Sequence, residues 1–120
     1  MNESKHPTVA SVIIDAADIE PLISFWGDLL GLEEKMRFPG FVWLGRMGEG
    51  GPSLGFQQVP EEKTIKNRLH LDLVTDEPDA VIRRVIDLGG SRLADHEVPG
   101  FHWTVLADPA GNEFCVAPKH

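Results

Sequence analysis

Pro39-Gly40-Phe41-Val42-Trp43 returns later in the chain as Pro99-Gly100-Phe101-His102-Trp103, and Asp28-Leu29-Leu30-Gly31 returns as Asp87-Leu88-Gly89-Gly90. Two motifs repeated at nearly constant spacing mark a duplication in which each copy is one supersecondary unit. Ahead of the first copy, Val9 to Asp15 is apolar and β-branched and reads as a strand. Asp18 then caps a helix with Pro21 in its first turn. Ile19, Leu22, Ile23, Trp26, Leu29 and Leu30 form one apolar stripe at helical spacing, and Gly31 supplies a left-handed stop. Shorter strands follow around Glu33 to Arg37, Phe41 to Gly45 and Ser53 to Gln58, with turns at Pro39-Gly40 and Gly48-Glu49-Gly50-Gly51.

The second copy runs in the same order. Leu69 to Val74 is the strand and Thr75 or Asp76 the cap; Val81, Ile82, Val85 and Leu88 are the helical stripe, which Gly89 ends. Strands near Arg92 to Glu97, His102 to Leu106 and Glu113 to Ala117 follow, the last two joined by the turn Asp108-Pro109-Ala110-Gly111-Asn112. The expected fold is α+β: a single domain over residues 8–118, with βαβββ repeats at about 8–58 and 69–118, a polar linker 59–68 and a flexible tail 1–7. One helix covers only one face of its sheet, so the two bare faces are expected to surround a shared concavity.

The net charge of −8 excludes nucleic acid as the main partner, because phosphate binding needs a basic face. The acidity reads first as solubility, with attraction of a cationic ligand as the sharper alternative. Cys115 is the only cysteine, so no disulfide framework exists and a reducing compartment is expected. No segment reaches membrane-spanning length and no leader is visible, so the sequence reads as cytoplasmic with no membrane partner.

Three stretches carry a family likeness. They are the helix bearing Phe25-Trp26 and ending Leu29-Leu30-Gly31-Leu32, the segment Lys66-Asn67-Arg68-Leu69-His70-Leu71-Asp72-Leu73, and Ala107-Asp108-Pro109-Ala110-Gly111-Asn112-Glu113-Phe114. Together they resemble the small glyoxalase-like branch of the glyoxalase, bleomycin-resistance and extradiol-dioxygenase superfamily. The resemblance implies two βαβββ repeats forming a curved mixed sheet around a ligand cavity, with helices on the outer face and often a dimer. It does not imply a reaction, since such families include metal-dependent isomerases, dioxygenases, epimerases and thiol transferases beside metal-free drug-binding proteins. The resemblance puts the metal-ligand positions at Ser11, His70, Cys115 and near Gly55, where Gln57 is the nearest polar side chain. A catalytic divalent site usually takes three histidine or carboxylate ligands, so a complete metal site is not expected and no cofactor is assigned. If Zn, Ni, Mn or Fe is used, His70 is the best ligand.

Alternation along Leu69 to Val74 turns Leu69, Leu71 and Leu73 toward the helix and His70 and Asp72 to the other side. That pair suits a hydrogen bond to a ligand or a general base, and equally a structural polar pair. Phe41 with Trp43, and Phe101 with Trp103, are same-face pairs that either wall a slot for a flat ligand or plug the core. Asp15 shares a face with Ser11 and offers a carboxylate to a cationic group, or sits at the rim in water. Cys115 is a nucleophile only if a base activates it. The expected ligand-binding set is Ser11, Trp43, Gln57, His70, Asp72, Trp103 and Cys115, with Ser11, His70 and Asp72 in one pocket against a paired tryptophan. No catalytic residue is assigned. The expected function is binding of a small organic molecule by a homodimer, with a divalent-metal-dependent lyase, isomerase or dioxygenase as the alternative.

Overall fold

The computed structural model describes residues 6–119 and runs β1 (Ser11–Ala16), α1 (Glu20–Leu30), β2 (Glu34–Phe38), β3 (Phe41–Arg46), β4 (Ser53–Gln58), then β5 (Leu71–Thr75), α2 (Pro78–Asp87), β6 (Ser91–Val98), β7 (Phe101–Ala107) and β8 (Glu113–Pro118). Residues 1–5 of the expected tail lie outside the described residues. In each half the first strand pairs in parallel with the last, which requires the long crossover that the helix and the two middle strands provide. The resulting sheets have the orders β1-β4-β3-β2 and β5-β8-β7-β6. The strands are hydrogen-bonded as two four-stranded sheets, one per repeat, and not as a single ladder.

The helix ends follow from local chemistry. Gly31 closes α1 at φ 69°, a left-handed conformation that costs a side chain dearly and glycine little. Ile19, not Asp18, is the N-cap of α1; the Asp18 carboxylate instead accepts the Glu20 N–H at 3.2 Å, just ahead of the first turn. At α2 the N-cap is Glu77, and the Thr75 hydroxyl accepts its N–H at 3.1 Å. Both helices carry proline in the first turn, where a missing N–H leaves no hydrogen bond unmade.

One buried cluster joins the halves. Leu22, Phe25 and Trp26 of α1 and Ile82 and Val85 of α2 pack with Val42, Leu44, Leu54 and Phe56 of the first sheet and Leu106, Phe114 and Val116 of the second. Phe25, absent from the expected stripe, is fully buried, while Leu29 and Leu30 are only partly so. The stripe is displaced because α1 packs against both sheets. Phe25 and Trp26 meet Phe114 of β8 edge-on, with ring centroids 6.0 and 4.8 Å away. Strand β5 begins at Leu71, so Leu69 lies outside it and is 71% exposed. Leu71 and Leu73 pack on the core as expected, but Leu69 does not.

The turn Asp108 to Asn112 is fastened to that core. The Asp108 carboxylate is buried and accepts the backbone N–H groups of Ala110 and Asn112 at 3.0 and 2.9 Å. It also accepts the Trp26 indole N–H at 3.0 Å. The Trp26 indole N–H, deep in the core, would otherwise be unpaired.

Candidate functional site

Because β5 packs Leu71 and Leu73 inward, Asp72 and Val74 stand on the other face, with His70 just ahead of the strand. Pairing of β5 with β8 sets Asp72 beside Cys115, and pairing of β7 with β8 sets Val105 on the far side of Cys115. These residues, with Phe101 and Trp103, line a concavity of about 460 Å³ on the open face of the second sheet. Phe101 and Trp103 are stacked at 5.5 Å, and His96, the cross-strand partner of Trp103, stacks on it at 5.3 Å. His96 was missed by sequence reasoning because it shares no spacing with the other histidines; the only available signal was its place opposite Trp103 in the β6–β7 hairpin.

His70 Nδ1 lies 3.1 Å from Asp72 Oδ1, with the two side chains 53% and 68% exposed. A carboxylate accepts and does not donate, so any hydrogen bond across this contact runs from His70 Nδ1–H to Asp72. Burial pushes the Cys115 thiol above its ordinary range, and the Asp72 charge and a hydrogen bond to Asp72 push it further the same way. A raised thiol is a poor nucleophile, so the geometry favours neither an activated cysteine nor thiol chemistry here. At the rim, a hydrogen bond from Lys66 holds the Glu113 carboxyl below its ordinary range.

The donor atoms of His70, Asp72 and Cys115 all lie within 4.8 Å of one another. Nitrogen, oxygen and sulfur donors of these types are those zinc accepts, and three protein ligands leave one position open. The residues therefore fit a divalent ion. Sequence reasoning placed Asp72 with His70 in the ligand-binding set but not among the metal-ligand positions, and missed that the parallel β5–β8 pairing sets it beside Cys115.

Ser11 and Trp43 stand elsewhere. They line a separate concavity of about 640 Å³ on the open face of the first sheet. Ser11 does not share a concavity with His70 and Asp72. Its neighbours Val12 to Asp15 on β1 do meet His70 and Leu71 in a third concavity of about 370 Å³ lined from both halves, which Ser11 does not reach. Gln57 is exposed opposite Phe41 and lines neither concavity. Asp15 borders a depression of about 670 Å³ at the β1–α1 corner, facing the linker.

The two open faces differ for a reason legible in the registers. Trp43 is opposite Gly55 on β4, but in the second half Val105, not Trp103, is opposite the equivalent Cys115. The second hairpin is longer, with strands of 8 and 7 residues against 5 and 6, and this carries Trp103 away from the sheet centre. A Cβ on Gly55 would come within 2.9 Å of the Trp43 ring, so the indole lies over the glycine and covers the centre of that sheet. Phe41 stacks on Trp43 at 4.2 Å. The second face stays open over Cys115.

Comparison with known proteins agrees with this architecture. The chain is similar to a glyoxalase-related enzyme from Fulvimarina pelagi, with 20% identity and a TM-score of 0.76 over 93% of this chain and 88% of that one. A glyoxalase/bleomycin resistance protein/dioxygenase family enzyme from Burkholderia phytofirmans shares 26% identity, with a TM-score of 0.72 over 91% and 96% of the two chains. A lactoylglutathione lyase from Agrobacterium tumefaciens shares 21% identity, with a TM-score of 0.67 over 96% of each chain. No curated protein matches the chain. The family description "Glyoxalase-like domain" matches residues 11–117, nearly the whole of both repeats, and the chain therefore belongs to the glyoxalase-like domain family.

Proposed function

We propose that this protein binds a small organic molecule on the open face of its second βαβββ half without needing a metal. The observation that carries this reading is the concavity of about 460 Å³, walled by Phe101 and Trp103 and edged by His70 and Asp72. Its size falls within the range of small-molecule sites, and an apolar wall with a few convergent polar groups is how such sites orient a ligand. Trp103 and Phe101 would stack a flat ring; His70 and Asp72 would hydrogen-bond its polar edge, and Cys115 would close the floor. Ser11, Trp43 and Gln57 contribute only if another copy brings the first-half face alongside. A homodimer is part of the proposal, supported by exposed Met36, Phe38, Val74 and Val98 on strands that each half leaves uncovered. A cytoplasmic site of action is supported by the lone thiol, and no helix of the described residues is long and apolar enough to cross a membrane. Titrating isotope-labelled protein with a panel of small heteroaromatic compounds tests the reading. Saturable shifts of the Trp103 indole N–H, lost in His70→Ala, support it; shifts elsewhere alone refute it.

The cluster of His70, Asp72 and Cys115 favours a second reading, a divalent-metal-dependent lyase, isomerase or dioxygenase. In that case His70 Nδ1 or Nε2, the Asp72 carboxylate and Cys115 Sγ would hold the ion. The ion would act as a Lewis acid toward a substrate oxygen. Asp72 would have to give up its contacts with His70 and Cys115, and Cys115 would have to lose its proton. Elemental analysis after dialysis discriminates the two: stoichiometric Zn, Ni, Mn or Fe that is lost with His70→Ala selects the metal reading.

A further inference from the structure

We infer that the open face of the first half is a separate site for an oxyanion, the carboxylate or phosphate group of a small molecule. In a chain of net charge −8, the ionisable side chains lining this concavity are both cations, Lys35 and Arg46. Two hydroxyls lie on the strands beyond Arg46: Ser53 of β4 is the cross-strand partner of Arg46 on one side and of Ser11 on the other. Lys35 of β2 flanks Arg46 from the opposite side. Serine hydroxyls, an ammonium and a guanidinium are together the donor set that an oxyanion takes, the guanidinium giving two parallel N–H groups to one planar or tetrahedral head.

Backbone features aim both cations. A Cβ on Gly45 would lie 3.6 Å from Lys35 Cε, so the lysine stem runs along the glycine toward the sheet face. Its contact with Glu33 is 3.9 Å, at the outer limit of an ion pair, with both groups largely exposed. The Arg46 guanidinium gives one N–H to the Gly51 carbonyl at 3.0 Å, which restrains the side chain and leaves its other N–H groups for a ligand. The second-half concavity is mixed in charge, with Lys66 and His70 beside Asp72 and Glu113 on its lining. This site lies on different strands from the one read above and does not depend on that reading.

The test is an NMR titration of the full chain with phenyl phosphate and benzoate, using benzyl alcohol and benzylamine as neutral and cationic controls with the same ring. Saturable shifts at the Trp43 indole N–H are expected for the anions, weakened by high salt. Kd should rise by about tenfold or more in Lys35→Gln and in Arg46→Gln, and by less in Arg46→Lys, which keeps the charge but loses the fork. Whichever anion binds tighter identifies the head group. The inference is overturned if the anions bind no better than benzyl alcohol, or if Kd is unchanged in both glutamine variants. Shifts at Trp103 alone would also overturn it while leaving the second-half reading standing.

Discussion

The Trp26 indole N–H on α1 donates at 3.0 Å to the Asp108 carboxylate, across 82 residues of sequence and inside the core. This one bond ties the first helix of the first repeat to the turn before the last strand of the second. It gives a physical reason for the Asp-Pro-x-Gly-Asn signature: Asp108 closes its own turn and holds the partner repeat at once. Asp108→Ala should cost about 2–4 kcal/mol, because it strands a buried indole N–H and two backbone N–H groups. Trp26→Phe should cost about 1–3 kcal/mol by leaving the carboxylate short of a donor and removing ring volume. Urea denaturation of both variants measures these losses.

Leu22 is fully buried, whereas Leu29 is only partly covered. Leu22→Ala should therefore cost about 2–5 kcal/mol and Leu29→Ala clearly less, a ranking read from the same denaturation curves. Equal losses would mean that α1 is rotated from the position described.

Much of this was legible in the sequence because periodicity and turn residues speak directly about backbone. The repeat, the eight strands, the glycine stop at Gly31 and the inward-facing Leu71 and Leu73 all followed from it. Phe25 escaped the stripe because its partner, Phe114, belongs to the other repeat, and no local period encodes a contact between repeats. The expectation that Ser11 joins His70 failed for the same reason: strand alternation fixes a face, not which sheets share a cavity. Matching Trp43 to Trp103 by motif was right in sequence and misleading in space, since the longer second hairpin shifts the register.

Gly55 is where that register difference can be probed. Gly55→Ala would drive a methyl into Ile13 and the Trp43 ring, both within 3 Å of the new atom. The expected result is displacement of the indole and a loss of about 1–3 kcal/mol from overpacking, seen as altered near-ultraviolet dichroism and a lowered urea midpoint. An unchanged spectrum would show that Trp43 does not lie over the glycine.

Cys115 should titrate above an ordinary thiol, and Asp72→Asn should lower its pKa by removing the charge and replacing a carboxylate acceptor with a weaker neutral one. As the only thiol it can be followed by thiolate absorbance. The sign for stability follows. A folded pKa above the unfolded one favours the protonated form, so this contribution is complete below the unfolded thiol pKa. It is lost as pH rises through the folded value. A thiol that titrates at or below the ordinary value would contradict the Asp72 contact.

Metal-free binding at the second-half face is tested most directly by calorimetric titration of chelator-treated protein with the tightest heteroaromatic compound found by NMR. The predicted result is one saturable site per chain, with Kd unaffected by chelation and raised by about tenfold or more in both Trp103→Ala and His70→Ala. Binding that appears only after zinc is added, and that Cys115→Ser abolishes, would contradict it and assign His70, Asp72 and Cys115 to a metal.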